Sequence, residues 1–243
     1  MIRHCEAMKD RFAILDAHES ATVDQVKEQL VELGSANGYA ALYYPWIKIA
    51  GGLTAPPSGH IAGVVARSDA TRGVHKAPAN EAVAGALGVQ LALTDEDQGP
   101  LNEQGVNVLR WFSGRGVVVW GTRTLAPPAS IWRYLNVRRL LLFIEESIQE
   151  GTRFAVFEPN NLALWQKVKR QVKDFLTRVW QSGALVGASP DQAFRVRVNE
   201  ELNPPSQRAL GQLTIEVVLY PATPAEYVVF QVIQTPGGPS IQE

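Results

Sequence analysis

Apolar positions recur along this chain in two rhythms, one of period two and one of three to four. Residues 11–16 (Arg-Phe-Ala-Ile-Leu-Asp) form a short apolar run ending at an acid, which predicts a buried strand. Thr22 then offers an N-cap to a helix that carries Val23, Val26, Leu30 and Leu33 on one side, with Gly34 stopping it. Residues 39–46 (Tyr-Ala-Ala-Leu-Tyr-Tyr-Pro-Trp) predict a second strand, and Pro45 places its end near a sheet edge. Pro57 opens a helix expected to run to about Asp69. Two strands near 106–112 and 117–122 flank the turn Ser113-Gly114-Arg115-Gly116. Strands alternating with helices predict an α/β layer with a partly parallel sheet.

The rhythm changes after residues 125–130, where Pro127-Pro128 mark a linker. A long helix is expected over 131–150 with Gly151 as its cap, then a short strand over 154–158. A second long helix follows over 161–182, ended by Gly183, and strands over 194–199, 212–220 and 225–234 finish the chain. The fold class expected is therefore α/β followed by α+β, divided at 1–126 and 127–243. The second part has two long helices packed on a small sheet.

Composition narrows the function classes. With 46% hydrophobic and 19% charged residues, the 243-residue chain reads as globular, and a net charge of −1 gives no overall pull toward nucleic acid or anionic membrane. The one cysteine, Cys5, excludes an internal disulfide or a cysteine-based zinc cluster and fits a reducing compartment. His4, His18, His60 and His75 lack metal-ligand spacing, so no metal or cofactor is expected. No apolar run reaches the roughly 18–20 residues needed to cross a bilayer, and the first residues lack the apolar core of a signal peptide.

One stretch sounds enzymatic. Ser58-Gly59-His60-Ile61-Ala62-Gly63 resembles the histidine block of subtilisin-type proteases, and Asp16 precedes it in the order such a triad needs. The serine block is missing: Ser113, Ser147, Ser182, Ser189, Ser206 and Ser240 all sit in the wrong context. A proline-initiated helix with small residues facing a sheet explains the stretch more simply, so no catalytic residue is assigned.

Residues 164–180 carry more information. Leu164, Trp165, Val168, Val172, Phe175, Leu176, Val179 and Trp180 form one apolar stripe. The rest of the surface bears Lys167, Lys169, Arg170, Lys173 and Arg178 against the single acid Asp174. This is either a solvated helix face or a docking face for an acidic partner. Direct nucleic-acid binding is the weaker alternative, because no exposed aromatic interleaves these cations. At the C-terminus, 212–220 and 226–234 are strongly β-prone and separated by Pro221-Ala222-Thr223-Pro224. An apolar terminal strand left as a bare edge invites aggregation, so it belongs inside its own sheet or completes a neighbour's.

Several blocks in one order then resemble a known family. Ala41-Leu42-Tyr43-Tyr44-Pro45-Trp46, Gly73-Val74-His75-Lys76-Ala77-Pro78 and Val119-Trp120-Gly121-Thr122-Arg123-Thr124-Leu125 resemble tail sheath proteins of contractile phages and related injection systems. So do Trp132-Arg133-Tyr134-Leu135-Asn136-Val137-Arg138-Arg139, Val156-Phe157-Glu158-Pro159-Asn160, Asn203-Pro204-Pro205 and Pro224-Ala225-Glu226-Tyr227-Val228. The resemblance implies a non-enzymatic subunit of a helical homo-polymer that surrounds an inner tube and contracts to drive it through a target envelope. It implies other sheath subunits, the tube protein, and baseplate and tail terminator proteins as partners, with no membrane and no direct nucleic acid. The expected location is the virion tail or injection particle, and the host cytoplasm during assembly. The basic helix then becomes the tube-facing surface, and Tyr227, Val228, Val229, Phe230, Gln231, Val232, Ile233 and Gln234 an inter-subunit strand. Relative to the family, the first domain is expected to be incomplete at its N-terminal side.

Overall fold

The computed structural model describes residues 1–226. In chain order, α1 (Ile2–Met8) leads into β1 (Ala13–Asp16), α2 (Val23–Glu32) and β2 (Ala40–Tyr44). The short strands β3 (Ile47–Lys48) and β4 (Thr54–Ala55) precede α3 (Ser58–Arg72). After β5 (Glu81–Ala82) and β6 (Gly88–Val89) come α4 (Asp95–Glu103), β7 (Val106–Phe112) and β8 (Gly116–Trp120). The main sheet has the order β1-β2-β7-β8-β5, with β1, β2 and β7 parallel and the other two pairings antiparallel. A small antiparallel sheet, β4-β3-β6, lies beside it.

All five residues of β2 are buried. Ala40, Leu42 and Tyr44 face a cluster that includes Val26 of α2 and Leu101 of α4, while Ala41 and Tyr43 face Ile61 and Val64 of α3. A strand covered on both faces reads as a continuous apolar run, which is what the sequence shows there. Burial pushes the Tyr43 phenol well above its ordinary pKa. The expectation that Pro45 lies near a sheet edge is corrected: β2 is an interior strand. The ladder ends at Tyr44, paired with Val108, so the missing N–H of Pro45 falls just outside it.

Helix starts follow local chemistry. Thr22 caps α2 in a reciprocal box with Gln25, and Thr94 caps α4 in the same way with Asp97. The α3 N-terminus is capped from a distance, since Asp16 Oδ1 accepts from the Ser58 backbone N at 2.7 Å.

The second half holds α5 (Leu135–Gly151), α6 (Leu162–Gln181), α7 (Pro190–Ala193), β9 (Phe194–Arg197), α8 (Pro205–Ala209) and β10 (Glu216–Leu219). Its core joins Leu140 and Ile144 of α5, the apolar stripe of α6, and Phe194 and Val196 of β9, with Val217 and Leu219 of β10 half-buried against it. Two expectations fail here. The first α5 residue is Leu135, because Tyr134 is extended and bridges to Arg123 while Leu135 N donates to Thr122 O at 2.9 Å. The strand expected over 154–158 is a 3-10 turn, Arg153–Ala155, followed by Phe157 at φ 65°. Thr152 N and its hydroxyl both bond back to Ile148 O, which continues the helical winding past α5.

The connector is pinned from both sides. Leu125 N donates to Ala40 O and Thr124 N to Arg133 O, each at 2.8 Å, and between them Pro127, Pro128, Ala129 and Ile131 are exposed. Arg138 then reaches from α5 into the first half, its guanidinium 3.5 Å from the Trp132 ring centroid and 4.3 Å from that of Tyr39. It also donates to Asn37 O, and burial lowers its pKa. Such cation–π contacts contribute about 0.5–2 kcal/mol each. The neighbouring Arg139 makes a two-bonded ion pair with Asp69 of α3.

Candidate assembly surfaces

The α6 surface is set by how tightly its other side is held. Asn161 caps the helix by accepting from Leu164 N at 3.1 Å. Leu164, Trp165, Val168, Val172, Leu176 and Val179 are buried, with Phe175 and Trp180 half-buried. Both indole N–H groups are satisfied, Trp165 by Asn160 Oδ1 at 2.7 Å and Trp180 by Gly187 O at 2.9 Å. With the stripe fixed, the cations are forced outward.

They are spread around the outward half of the helix, on a crest and two flanks. At about 100° per residue, Lys167 and Arg178 fall on the flank toward α5, Lys169 and Lys173 on the opposite flank, and Arg170 on the crest between them. The contacts agree with this division. Lys167 Nζ lies 4.5 Å from the Phe154 ring centroid, and Arg178 lines an open groove of about 970 Å³ between the two halves. Lys173 Nζ is 3.9 Å from Asp191 on the other side. Lys169 is half-buried and Arg170 exposed. The signs of these charges were legible in the sequence, whereas their separation into flanks required the buried stripe to be placed.

A second surface is the edge of the two-stranded sheet. β9 and β10 pair antiparallel, Phe194 with Leu219 through Arg197 with Glu216. Among the described residues this ladder has no third strand, so each strand presents one row of unpaired backbone groups. Beyond β10 the chain bridges Pro221 to Leu185, Ala222 N donates to Ala184 O at 3.0 Å, and Asn136 Nδ2 donates to Ala222 O at 3.3 Å. It then crosses to the first half, where Glu226 meets Arg123. No sequence pattern signals that contact, because the partners stand 103 residues apart. The expected inter-subunit strand, Tyr227 to Gln234, lies outside the described residues.

The protease-like residues have other employment. Asp16 caps α3, and half-buried His60 sits in the first turn of that helix. In the groove, the Asp69 carboxylate is engaged by Arg139 while Ser147 belongs to α5. Among the described residues, no group of three or more His, Cys, Asp or Glu side chains is arranged to hold a metal ion, and no helix is long and apolar enough to cross a membrane.

Known proteins share this architecture. The sheath of an extracellular contractile injection system, the PVC sheath complex in its contracted state, superposes with a TM-score of 0.86 at 38% identity, covering 93% of this chain and 64% of that one. The helical sheath of the anti-feeding prophage in its contracted state gives 0.82 at 35% identity, covering 96% and 65%. Among curated proteins, a tail sheath protein of Burkholderia phage BcepMu is 27% identical over 214 residues, 83% of this chain but 44% of that protein. A tail sheath protein of Vibrio phage KVP40 is 25% identical over 183 residues, 74% of this chain and 26% of that protein. The chain thus spans less than half the length of these two curated relatives. Residues 1–125 match the phage tail sheath protein central domain and residues 128–235 the phage tail sheath C-terminal domain, so the chain belongs to the phage tail sheath family.

Proposed function

We propose that the protein is a structural, non-catalytic subunit of a contractile sheath that polymerises around an inner tube and contracts to drive it through a target envelope. The observation that carries this reading is the match of both halves, in order, to the two sheath domains, with backbone agreement to sheaths in assembled particles. Its partners are copies of itself, the tube protein, and baseplate and tail terminator proteins; it works in a phage tail or injection particle after assembly in host cytoplasm. The functional division falls at residues 1–126 and 127–243, the latter an assembly domain of two long helices on a sheet that neighbours complete.

Tyr227 to Gln234 supply the strand that joins an edge of the β9–β10 sheet in a neighbouring subunit. The lack of a third strand in that sheet among the described residues and the β-prone apolar sequence support this reading. Lys167, Lys169, Arg170, Lys173 and Arg178 provide the tube-facing surface, with the exposed crest at Arg170 as its centre. Heterologous contacts of this kind propagate a helix instead of closing a dimer.

Electron microscopy of the full chain mixed with its tube protein tests the proposal. Striated sheaths of regular pitch around the tube are expected. Protein that stays monomeric and leaves the tube bare across salt and concentration would remove it.

A further inference from the structure

We infer that Arg123 is a positioning residue for assembly: by gripping Glu226 it fixes where the segment after residue 226 leaves the body of the subunit. The inference rests on the reading that Tyr227 to Gln234 pair with a neighbour, and it adds the device that sets their origin.

Arg123 is held rigidly before Glu226 is considered. It is 2% exposed and belongs to the strap between β8 and α5. Its backbone N donates to Asn107 Oδ1 at 2.7 Å, and its backbone O accepts from Asn107 Nδ2 at 2.8 Å. Its Nη1 donates to Asn102 O at 2.6 Å, at the end of α4. β7 therefore holds the Arg123 backbone, and the end of α4 holds one side of its guanidinium.

A buried guanidinium is costly unless a carboxylate matches it. Glu226, itself only 14% exposed, supplies that match: Arg123 Nε donates to Oε1 at 2.9 Å and Nη2 to Oε2 at 2.5 Å. The Tyr134 hydroxyl lies 3.4 Å from Oε2 as a third contact. Two parallel bonds to a planar fork fix direction as well as distance, which one bond to a lysine would not do.

The route to this point makes the grip consequential. Tyr220 and Ala222 are hydrogen-bonded within the second half, at Ala193 O, Ala184 O and Asn136. Four residues beyond Ala222 the chain has changed hosts and is tied to the first half. Pro221 and Pro224 stiffen the crossing. The arm thus originates from a point referenced to the α/β body as well as to the sheet that precedes it, and the orientation of that body is carried into any pairing the arm makes. Because the pair is desolvated, added salt leaves it in place, unlike the exposed cations of α6.

The test uses the full chain. Glu226→Gln removes the charge, and the double variant Arg123→Met with Glu226→Met replaces both charged groups by unbranched apolar side chains. Val232→Pro removes one backbone donor from the proposed strand. In soluble protein, Glu226→Gln should raise hydrogen exchange at the Ala222 amide, which donates to Ala184 O, by about tenfold or more. Its polymerised fraction on sedimentation should fall by a comparable factor. The double variant should regain the unfolding midpoint of the unmodified chain yet stay defective in assembly, because burial is no longer penalised while the direction is still lost.

Unchanged exchange and assembly in Glu226→Gln would overturn the inference, as would full recovery of assembly in the double variant, which would reduce the pair to a stability element. Val232→Pro separates the two levels. If it polymerises normally, the strand reading falls and the positioning role with it, even where exchange confirms the grip. If it blocks polymerisation while Glu226→Gln assembles normally, the strand reading stands and Arg123 loses its role.

Discussion

The two halves solve the same problem of burying a sheet, and they solve it unequally. In the first half a five-stranded sheet has an apolar cluster on each face, with α2 and α4 on one side and α3 on the other. Its edges are the short β1 and the two-residue β5. In the second half two strands lie against two helices, and the ladder ends on both sides within the described residues. A two-stranded sheet is marginal unless packing or further strands support it. The contrast teaches that the larger sheet is held by helices on both faces, whereas the smaller one has, among the described residues, two strands that lean on α5 and α6.

One residue type serves both halves in the same way, which lets the comparison be broken. Buried Asn107 bonds the backbone of Arg123 twice and Leu42 O once, and buried Asn203 bonds Asn199 O, Thr214 O and Thr214 N. Asn107→Ala strands three backbone groups at the centre of the closed sheet and should cost about 4 kcal/mol in denaturant unfolding. Asn203→Ala acts in a loop beside the open sheet and should cost about 2 kcal/mol. Equal losses would mean that the second half is as closed as the first. The same contrast should appear in exchange: β9 and β10 amides should exchange about tenfold faster than those of β2 and β7 in unassembled protein. On polymerisation they should slow, and no slowing would leave the open edges without a role.

Smaller effects sharpen the picture. Thr94→Ala should cost about 1 kcal/mol by removing the α4 cap. Reversing Lys169, Arg170 and Lys173 to Glu should change unfolding by less than about 1 kcal/mol, since charges at exposed or half-buried positions contribute little. The same variant should lose tube binding, and that loss should track ionic strength; retained binding would remove the tube-facing assignment. The smallest effect concerns His75, whose pKa is lowered by burial and then by the Arg72 charge. A depressed folded pKa means that the unfolded chain takes up the proton more readily. The contribution is therefore full above about pH 6.5 and lost as pH falls through the folded pKa. The unfolding midpoint of His75→Gln should accordingly depend less on pH than that of the parent between about pH 8 and pH 5.

Much of this architecture was legible because local signals agreed with one another. Helix α6 pairs a strong three-to-four periodicity with an Asn161 cap, and β2 is a continuous apolar run. Helix α4 was not anticipated: Gly99 and Pro100 interrupt its pattern, and its start depends on the Thr94–Asp97 box. The strand expected over 154–158 failed because apolar content alone does not distinguish a strand from a turn lying under a helix, where Phe154 meets Lys167. Of the assembly surfaces, the basic residues could be read from the chain. The Arg123–Glu226 grip could not, since it joins segments with no shared pattern.

The arginine lodged between Tyr39 and Trp132 gives the subunit a mechanical character. A pull on the first turn of α5 would have to slide that planar group from between two rings and break the Arg139–Asp69 fork before the proline tip of the connector felt any strain. The two halves are thus tied to each other by side chains on α5 as well as by the covalent connector.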